Sequence, residues 1–201
     1  MSASAHIVWP SLERLSRRTS EPIRVLDIAT GGGDIPIALW RRAKRSRLPI
    51  EISACDFSRR AIEVARRRAE KSGAEIEFFS RDVLAEPLPD GFDAIICSLF
   101  LHHLSDDDAA SLLGRMAEAS RRLVLVNDLR RSTPGLLLAY GATKLVTRSD
   151  VVRVDGPLSV RAAFTIAEAK AIACRAGLDD CDIRPRWPFR FLLSWWRHDR
   201  S

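Results

Sequence analysis

The feature that most narrows the fold of this chain is a regular exchange of two hydrophobic periods between residues 23 and 129. Short apolar runs occupy "IRVLDIA" (23–29), "IEISACDF" (50–57), "AEIEFFSRDV" (74–83), "FDAIICSLFLHHL" (92–104) and "RLVLVNDL" (122–129). Between them lie "IPIALWRRAKR" (35–45), "SRRAIEVARRRAEKSG" (58–73) and "SDDDAASLLGRMAEASR" (105–121), whose apolar residues recur at helical spacing. Continuous apolar runs are the mark of strands buried on both faces, and helices fill the crossovers between them. This alternation requires right-handed crossovers and an α/β doubly wound sheet, mostly parallel, with helices on both faces. Local signals set the ends. Asp34 is expected to N-cap the first of these helices, with Pro36 in its first turn, where a missing N–H costs nothing. Ser58 is expected to cap the second and Gly73 to stop it. Asp106, Asp107 and Asp108 place negative charge at the positive end of the third.

The last third reads differently. Residues 133–164 form an apolar helical stretch followed by an irregular basic segment, and are expected to act as a lid. "TIAEAKAIACRAGL" (165–178) opens with Thr165 and Glu168 at the spacing of a capping box. "DCDIRPRWPFRFLLSWW" (180–196) reads as two strands joined by a tight Trp-Pro turn, an antiparallel hairpin at the sheet edge. Two strands added to five give a seven-stranded sheet in a single domain spanning residues 1–201.

With 201 residues, 46% of them hydrophobic, the chain can bury a core and still form a pocket. No apolar run approaches the ~20 residues of a membrane span, and "MSASAHIVWPSLERLSRRTS" lacks the apolar core of a secretion signal, so a cytoplasmic location is expected. Cys55, Cys97, Cys174 and Cys181 form no C-x-x-C pair, which argues for reduced thiols and against zinc or a disulfide framework. The net charge of +6 comes mainly from arginines in helix-like runs at 41–47, 59–71 and 121–122. Such runs are solvated helix faces, and without a recognition motif or base-stacking aromatic cluster no nucleic-acid partner is expected.

The chemistry concentrates in "VLDIATGGGDIPIAL" (25–39), where a strand ends in an acid and three glycines lead into a helix. Open parallel sheets bind ligands at the carboxyl ends of their strands, beside the first strand. A dinucleotide would need G-x-G-x-x-G and a helix end free to receive a pyrophosphate. Here Pro36 stands at the third glycine position, and Asp27 and Asp34 put anions where the diphosphate would sit. These carboxylates suit a cation, so a nicotinamide oxidoreductase is disfavoured. A second acid, Asp56, ends the second strand 23 residues after Gly33, and a carboxylate there can accept both ribose hydroxyls.

At these residues the chain resembles the class I S-adenosylmethionine-dependent methyltransferases, whose first motif is an acid followed by alternating glycines. It maps onto Asp27, Ala29, Gly31 and Gly33, with Ala29 in place of the usual first glycine. The resemblance covers roughly residues 23–129 and implies a Rossmann-like domain binding S-adenosyl-L-methionine, with S-adenosyl-L-homocysteine as product. It implies that Asp27 helps hold the methionine ammonium and that the backbone of Thr30, Gly31, Gly32 and Gly33 wraps the cofactor. Asp56 would take the ribose, with Phe57 packing on the adenine and Ser58 beside it. Asp82 would contact the adenine amino group with Val83 beside the ring, while Ser98, Leu99 and His102 border the methionine end.

A methyl acceptor with an oxygen or ring-carbon nucleophile is helped by a base, and histidine has the suitable pKa. His102 and His103 leave the fourth strand near the expected methyl position and are the candidate bases; alternatively one packs under the helix starting at Ser105. The adjacent aspartates 106–108 cannot all face one cation, so no metal is expected. "CSLF" stands where enzymes methylating base or amide nitrogens carry an NPPY-type motif, which lowers that reading. The apolar lid, flanked by Arg130, Arg131, Lys144, Arg148 and Arg153, suits a small amphiphilic aromatic acceptor. "SLFLHHL", "NDLRRS", "DGPLSVRAAFT" and "RWPFRFLL" resemble bacterial methyltransferases of the ubiquinone-biosynthesis type, some of whose relatives accompany type III polyketide synthases and O-methylate long-chain resorcinols. That resemblance implies a phenolic hydroxyl as acceptor (alkylresorcinol, polyketide or quinone precursor), with C-methylation of a quinone-type ring as the alternative. A non-catalytic S-adenosylmethionine-binding partner protein is the non-enzyme reading. It rests on the roughly 22 residues preceding the first strand, fewer than such relatives carry, which would leave one cover of the pocket reduced or supplied by a partner chain. Peripheral membrane contact and a monomer or homodimer are compatible with this reading.

Overall fold

The computed structural model describes residues 3–131 and 163–197. Helix α1 (Ala3–Ser16) leads into β1 (Ile23–Ile28), α2 (Asp34–Ser46), β2 (Ile50–Asp56), α3 (Arg59–Lys71) and β3 (Glu77–Ser80). There follow β4 (Phe92–Ser98), a 3₁₀ turn (Leu101–His103), α4 (Asp106–Ala119) and β5 (Ser120–Leu129). After the expected lid, whose residues lie almost wholly outside the described ones, come α5 (Ile166–Arg175), β6 (Asp182–Arg186) and β7 (Arg190–Trp196). The seven strands form one sheet in the order β3-β2-β1-β4-β5-β7-β6. All pairings among β1–β5 are parallel, and β7 runs antiparallel to both β5 and β6. The α/β, seven-stranded expectation with its C-terminal antiparallel hairpin is thus met.

Period-two alternation divides each strand between two cores. Leu26, Ile28, Ile95, Val124 and Val126 pack with α4 and α5. Ile23, Val25, Ile52, Ile96 and Leu125 pack with α1 and α2 on the opposite face, and α3 covers Ala54 and Phe78 beside them. β1, β4 and β5 sit centrally, so their carboxyl ends open between helices of both layers. The switch between β1 and β4, where chain order reverses, leaves the crevice in which such sheets bind ligands.

Several boundaries differ from the sequence reading. β3 has four residues in place of the expected ten, because it is a margin strand that pairs only with β2. β5 starts at Ser120, so Arg121 and Arg122 are exposed strand residues and not helical ones. Asp34 is not the cap of α2. Gly33 is, in a left-handed conformation without a side-chain cap, while the exposed Asp34 carboxylate receives Arg68 Nη1 at 2.9 Å. Ser58 does cap α3, accepting from Ala61 N, and the Thr165–Glu168 capping box forms in full.

The N-terminal helix, for which the sequence carries no expectation here, forms although Pro10 in its interior removes a helical hydrogen bond. Tertiary burial overrides that cost. Val8, Trp9, Leu12 and Leu15 are buried against the sheet, and Arg42 of α2 lies over the Trp9 ring at 5.1 Å. Arg190 of β7 donates from Nη1 to Ser4 Oγ at 2.6 Å, tying the start of α1 to the antiparallel strand. Trp9→Ala should cost about 3–5 kcal/mol of unfolding free energy. The check is the shift in urea midpoint at constant m-value.

Candidate functional site

Asp27 is the next-to-last residue of β1. It shares the face of Ile23 and Val25 and is buried to 1% exposure. Thr30 Oγ1 donates to its Oδ2 at 2.6 Å, but Oδ1 is buried without a partner among the described residues. Desolvation dominates its ionisation. Burial pushes the carboxyl up to about 7, the Thr30 hydrogen bond works against this, and the nearby Asp56 charge adds to it. An unpartnered acceptor in so dry a place is a site waiting for a cation.

The chain then turns sharply. Ala29, Gly31 and Gly33 all adopt positive φ, at 52°, 56° and 76°. For Ala29 the left-handed conformation carries a steric cost that glycine would not. Gly31 and Gly33 serve different ends. A Cβ on Gly31 would meet nothing within 4 Å, leaving its backbone open to a ligand, whereas one on Gly33 would stand 2.8 Å from the Ala65 Cβ of α3. Gly32 faces the movable Arg68 guanidinium. Thr30 N donates to Cys55 O, so the turn is also sewn to β2.

Asp56 completes the link. Its Oδ2 accepts from Gly31 N at 2.8 Å and its Oδ1 from Ser58 N at 2.9 Å, which positions the glycine turn and the start of α3 together. A carboxylate offers about four lone-pair sites, so both oxygens keep acceptor capacity for hydroxyls. Phe57, beside it, is 73% exposed and presents a free ring face at the strand ends. Asp82 spends Oδ1 on the backbone N–H groups of Leu84 and Ala85, which shapes the turn after β3. Val83 is directed into the core shared with α4.

At the end of β4, Ser98 is buried with an Oγ that has no partner among the described residues, and Leu99 has a left-handed φ of 58° with its N–H on Asn127 O. His102 and His103 follow on the 3₁₀ turn, ring centroids 4.0 Å apart. The pair divides in environment. His102 is buried, and its Nδ1 meets Asp128 Oδ1 at 2.6 Å; His103 is the more exposed. Desolvation holds the His103 pKa below its ordinary value, with the neighbouring His102 adding to that. Asp128, itself fully buried, also accepts from the N–H groups of Phe100 and Leu129. The sequence reading missed Asp128, although an acid near the end of an apolar strand is the same signal that marked Asp27 and Asp56. The aspartates of α4 point apart: Asp107 pairs with Arg175, and Asp108 bonds Ser105. Cys55 and Cys97 are pushed up by burial, Cys55 to about 12, so both remain neutral thiols.

A glycine turn between two strand-end carboxylates, one of them dry and half-unpartnered, defines a nucleotide-binding α/β domain suited to a positively charged ligand without phosphates. Comparison with known proteins agrees. Residues 25–122 match the family model described as a methyltransferase domain. The chain is 37% identical over 107 residues to the demethylmenaquinone methyltransferase of Thermus thermophilus, covering 52% of this chain and 47% of that protein. It is 31% identical over 142 residues to a ubiquinone biosynthesis O-methyltransferase of Xylella fastidiosa, covering 68% and 54%. The chain therefore spans about half the length of these curated relatives. The magnesium protoporphyrin IX methyltransferase of Synechocystis PCC 6803, solved with S-adenosylhomocysteine bound, shares the fold at a TM-score of 0.68 and 17% identity, over 97% of this chain and 82% of that one. Residues 25–122 are thus a methyltransferase domain, and the relatives and the shared fold are those of the class I S-adenosylmethionine-dependent methyltransferases, whose cofactor is S-adenosylmethionine.

Two outcomes are expected. Gly33→Ala forces a left-handed alanine into Ala65 and should destabilise by more than about 2 kcal/mol, read by urea unfolding. Gly31→Ala should cost less, since its surroundings are open. For Asp27 the folded-state pKa is raised, so the folded protein holds a proton that the unfolded chain has lost. Stability of the ligand-free protein should therefore fall as pH rises from about 5 to 7, by up to about 1.4 kcal/mol per unit from this group. Asp27→Asn should flatten that slope in pH-dependent melts.

Proposed function

We propose that the protein transfers the methyl group of S-adenosylmethionine to a phenolic hydroxyl of a small, amphiphilic, apolar aromatic acceptor. The observation that carries the cofactor half is the buried, half-unpartnered Asp27 carboxylate beneath an open glycine turn. The residues present fit the group. The orphaned Oδ1 complements an ammonium, the open side of Gly31 admits a ligand against the backbone, and Asp56 retains lone pairs for two ribose hydroxyls. In this reading Thr30, Gly31, Gly32 and Gly33 line the methionine and ribose, and Phe57 covers one face of the adenine next to Ser58. Asp82 and the backbone of Val83 border its edge, while Ser98 and Leu99 lie toward the methionine end.

The bound sulfonium supplies an activated methyl. The chain must then align the acceptor for in-line attack, exclude water and remove the acceptor's proton. The His102–Asp128 pair supports His102 as the base. A carboxylate on Nδ1 fixes the tautomer, so that Nε2 carries the lone pair, and stabilises the imidazolium formed when that nitrogen takes the phenolic proton. His103 is the second candidate, since its lowered pKa keeps the ring neutral and able to accept a proton near pH 7. The phenolic acceptor rests on the likeness to quinone-biosynthesis methyltransferases, among which the Xylella relative acts on oxygen by its name. C-methylation of a quinone-type ring is the second reading, favoured by the 37% identity to a demethylmenaquinone methyltransferase.

Transfer of a labelled methyl group to a panel of alkylresorcinols and demethylated quinols tests the acceptor, and calorimetry tests the cofactor. S-adenosylhomocysteine should bind at micromolar strength and NAD not at all. Its affinity should decline below pH 7, as protonation of Asp27 removes the partner of the ammonium. His102→Ala should lower kcat by about 10²–10⁴ with cofactor affinity retained, and Asp128→Asn should lower kcat and displace the pH profile. Full turnover in both His102→Ala and His103→Ala would leave positioning alone as the source of catalysis.

A further inference from the structure

Among the described residues, four large apolar side chains remain exposed: Phe57, Val64, Leu84 and Trp187. Val64 lies on α3, but the other three follow the carboxyl ends of strands. Phe57 comes directly after β2, Leu84 in the turn after β3 and Trp187 in the turn after β6. β3 and β6 are the two margins of the sheet, so these side chains span its whole width, about 29 Å at ~4.8 Å per strand. Phe57 has a role in the proposed cofactor site. Trp187 has none.

Trp187 is 89% exposed, the most open of the four, yet its turn is firmly held. Arg130 N donates to Phe189 O at 2.8 Å, and Arg190 pairs in register with Leu129, one residue past the buried Asp128. The Trp187 tip therefore projects from the same edge that carries Asp27, Asp56 and the His102–Asp128 pair. Arg186 adjoins it and donates only to the neighbouring Pro185 carbonyl among the contacts described, while Arg184, further back on β6, is exposed and bonded to Asp182. Of the acids near this edge, Asp107 is engaged by Arg175, Glu86 by Arg81 and Glu168 by Arg131, Asp108 bonds Ser105, Asp56 and Asp82 accept backbone N–H groups, and Asp106 is exposed.

We propose that the carboxyl edge of the sheet docks on an anionic phospholipid surface, with Trp187 inserted at the headgroup level and the hairpin arginines on the lipid phosphates. An indole, apolar in body with one N–H donor, is the side chain best suited to a water–lipid boundary. One hairpin tip is far smaller than the ~800 Å² per partner of a stable protein interface, and a second copy would bring another +6 charges to meet the first. A bilayer needs less: one aromatic anchor and a few cations give weak, reversible attachment. The inference goes beyond the proposed reaction, although docking at this edge would present the site to an acceptor dissolved in lipid.

The test is co-sedimentation of the full chain with vesicles of phosphatidylcholine alone and of phosphatidylcholine with about a third phosphatidylglycerol. Binding is expected to the anionic vesicles, weak to the neutral ones, and lost at about 1 M salt, where charges are screened within ~3 Å. Trp187→Ala should lower the bound fraction about tenfold while leaving S-adenosylhomocysteine affinity unchanged, and Val64→Ala on α3 should bind as wild type. Wild-type binding by Trp187→Ala, binding that ignores lipid charge, or no binding to anionic vesicles would each overturn the proposal. Failure to methylate any phenol would count against the proposed acceptor and leave the vesicle result standing.

Discussion

The burial of one carboxyl group organises the rest of this molecule. Asp27 sits where β1 ends, between the sheet and the α1–α2 layer, in a place where an ionised oxygen without a partner is costly. The chain meets half of that cost with the Thr30 hydroxyl and leaves the other half open. Everything next to Asp27 is arranged around the consequence. The turn after it is left-handed at alternate residues, so the chain bends sharply directly beyond the carboxyl. The peptide N–H of Gly31 is held by Asp56 from the next strand, so the turn stays where a ligand can reach it.

A second buried acid performs a related task two strands away. Asp128 gathers the Nδ1 of His102 and the backbone N–H groups of Phe100 and Leu129, which draws the segment after β4 down onto the end of β5. The two acids point to opposite faces of the sheet, since Asp27 follows Val25 into the α1 side while Asp128 follows Val126 into the α4–α5 side. One is left half-unsatisfied and the other is surrounded by donors. That difference fits a site with an open end for a cationic ligand and a rigid end for positioning a ring.

Local signals made much of this legible. Ser58, the Thr165–Glu168 box and the glycine turn after Asp27 each report on their own few residues and take the expected local form, and each apolar run yields a strand, though with shifted ends. The misreadings occur where a distant contact outweighs the local one. Asp34 has the chemistry of a cap, yet Gly33 takes that position because the left-handed turn continues one residue further, and Arg68 of α3 claims the carboxylate. α1 contains an interior proline and forms all the same, since Trp9 and Leu12 find a sheet to cover.

What the sequence determined by itself was the layered α/β architecture, its direction of winding and the strand ends at which acids and glycines would gather. Those properties follow from period, handedness and turn chemistry, which act over a few residues. Only the tertiary structure decided which acid would be stripped of partners, which histidine would receive a carboxylate, and which tryptophan would be left in water. Those outcomes depend on dielectric surroundings and on contacts between residues far apart in the chain, such as Gly31 with Asp56 and His102 with Asp128. No local pattern encodes them, because desolvation is a property of the assembled layers.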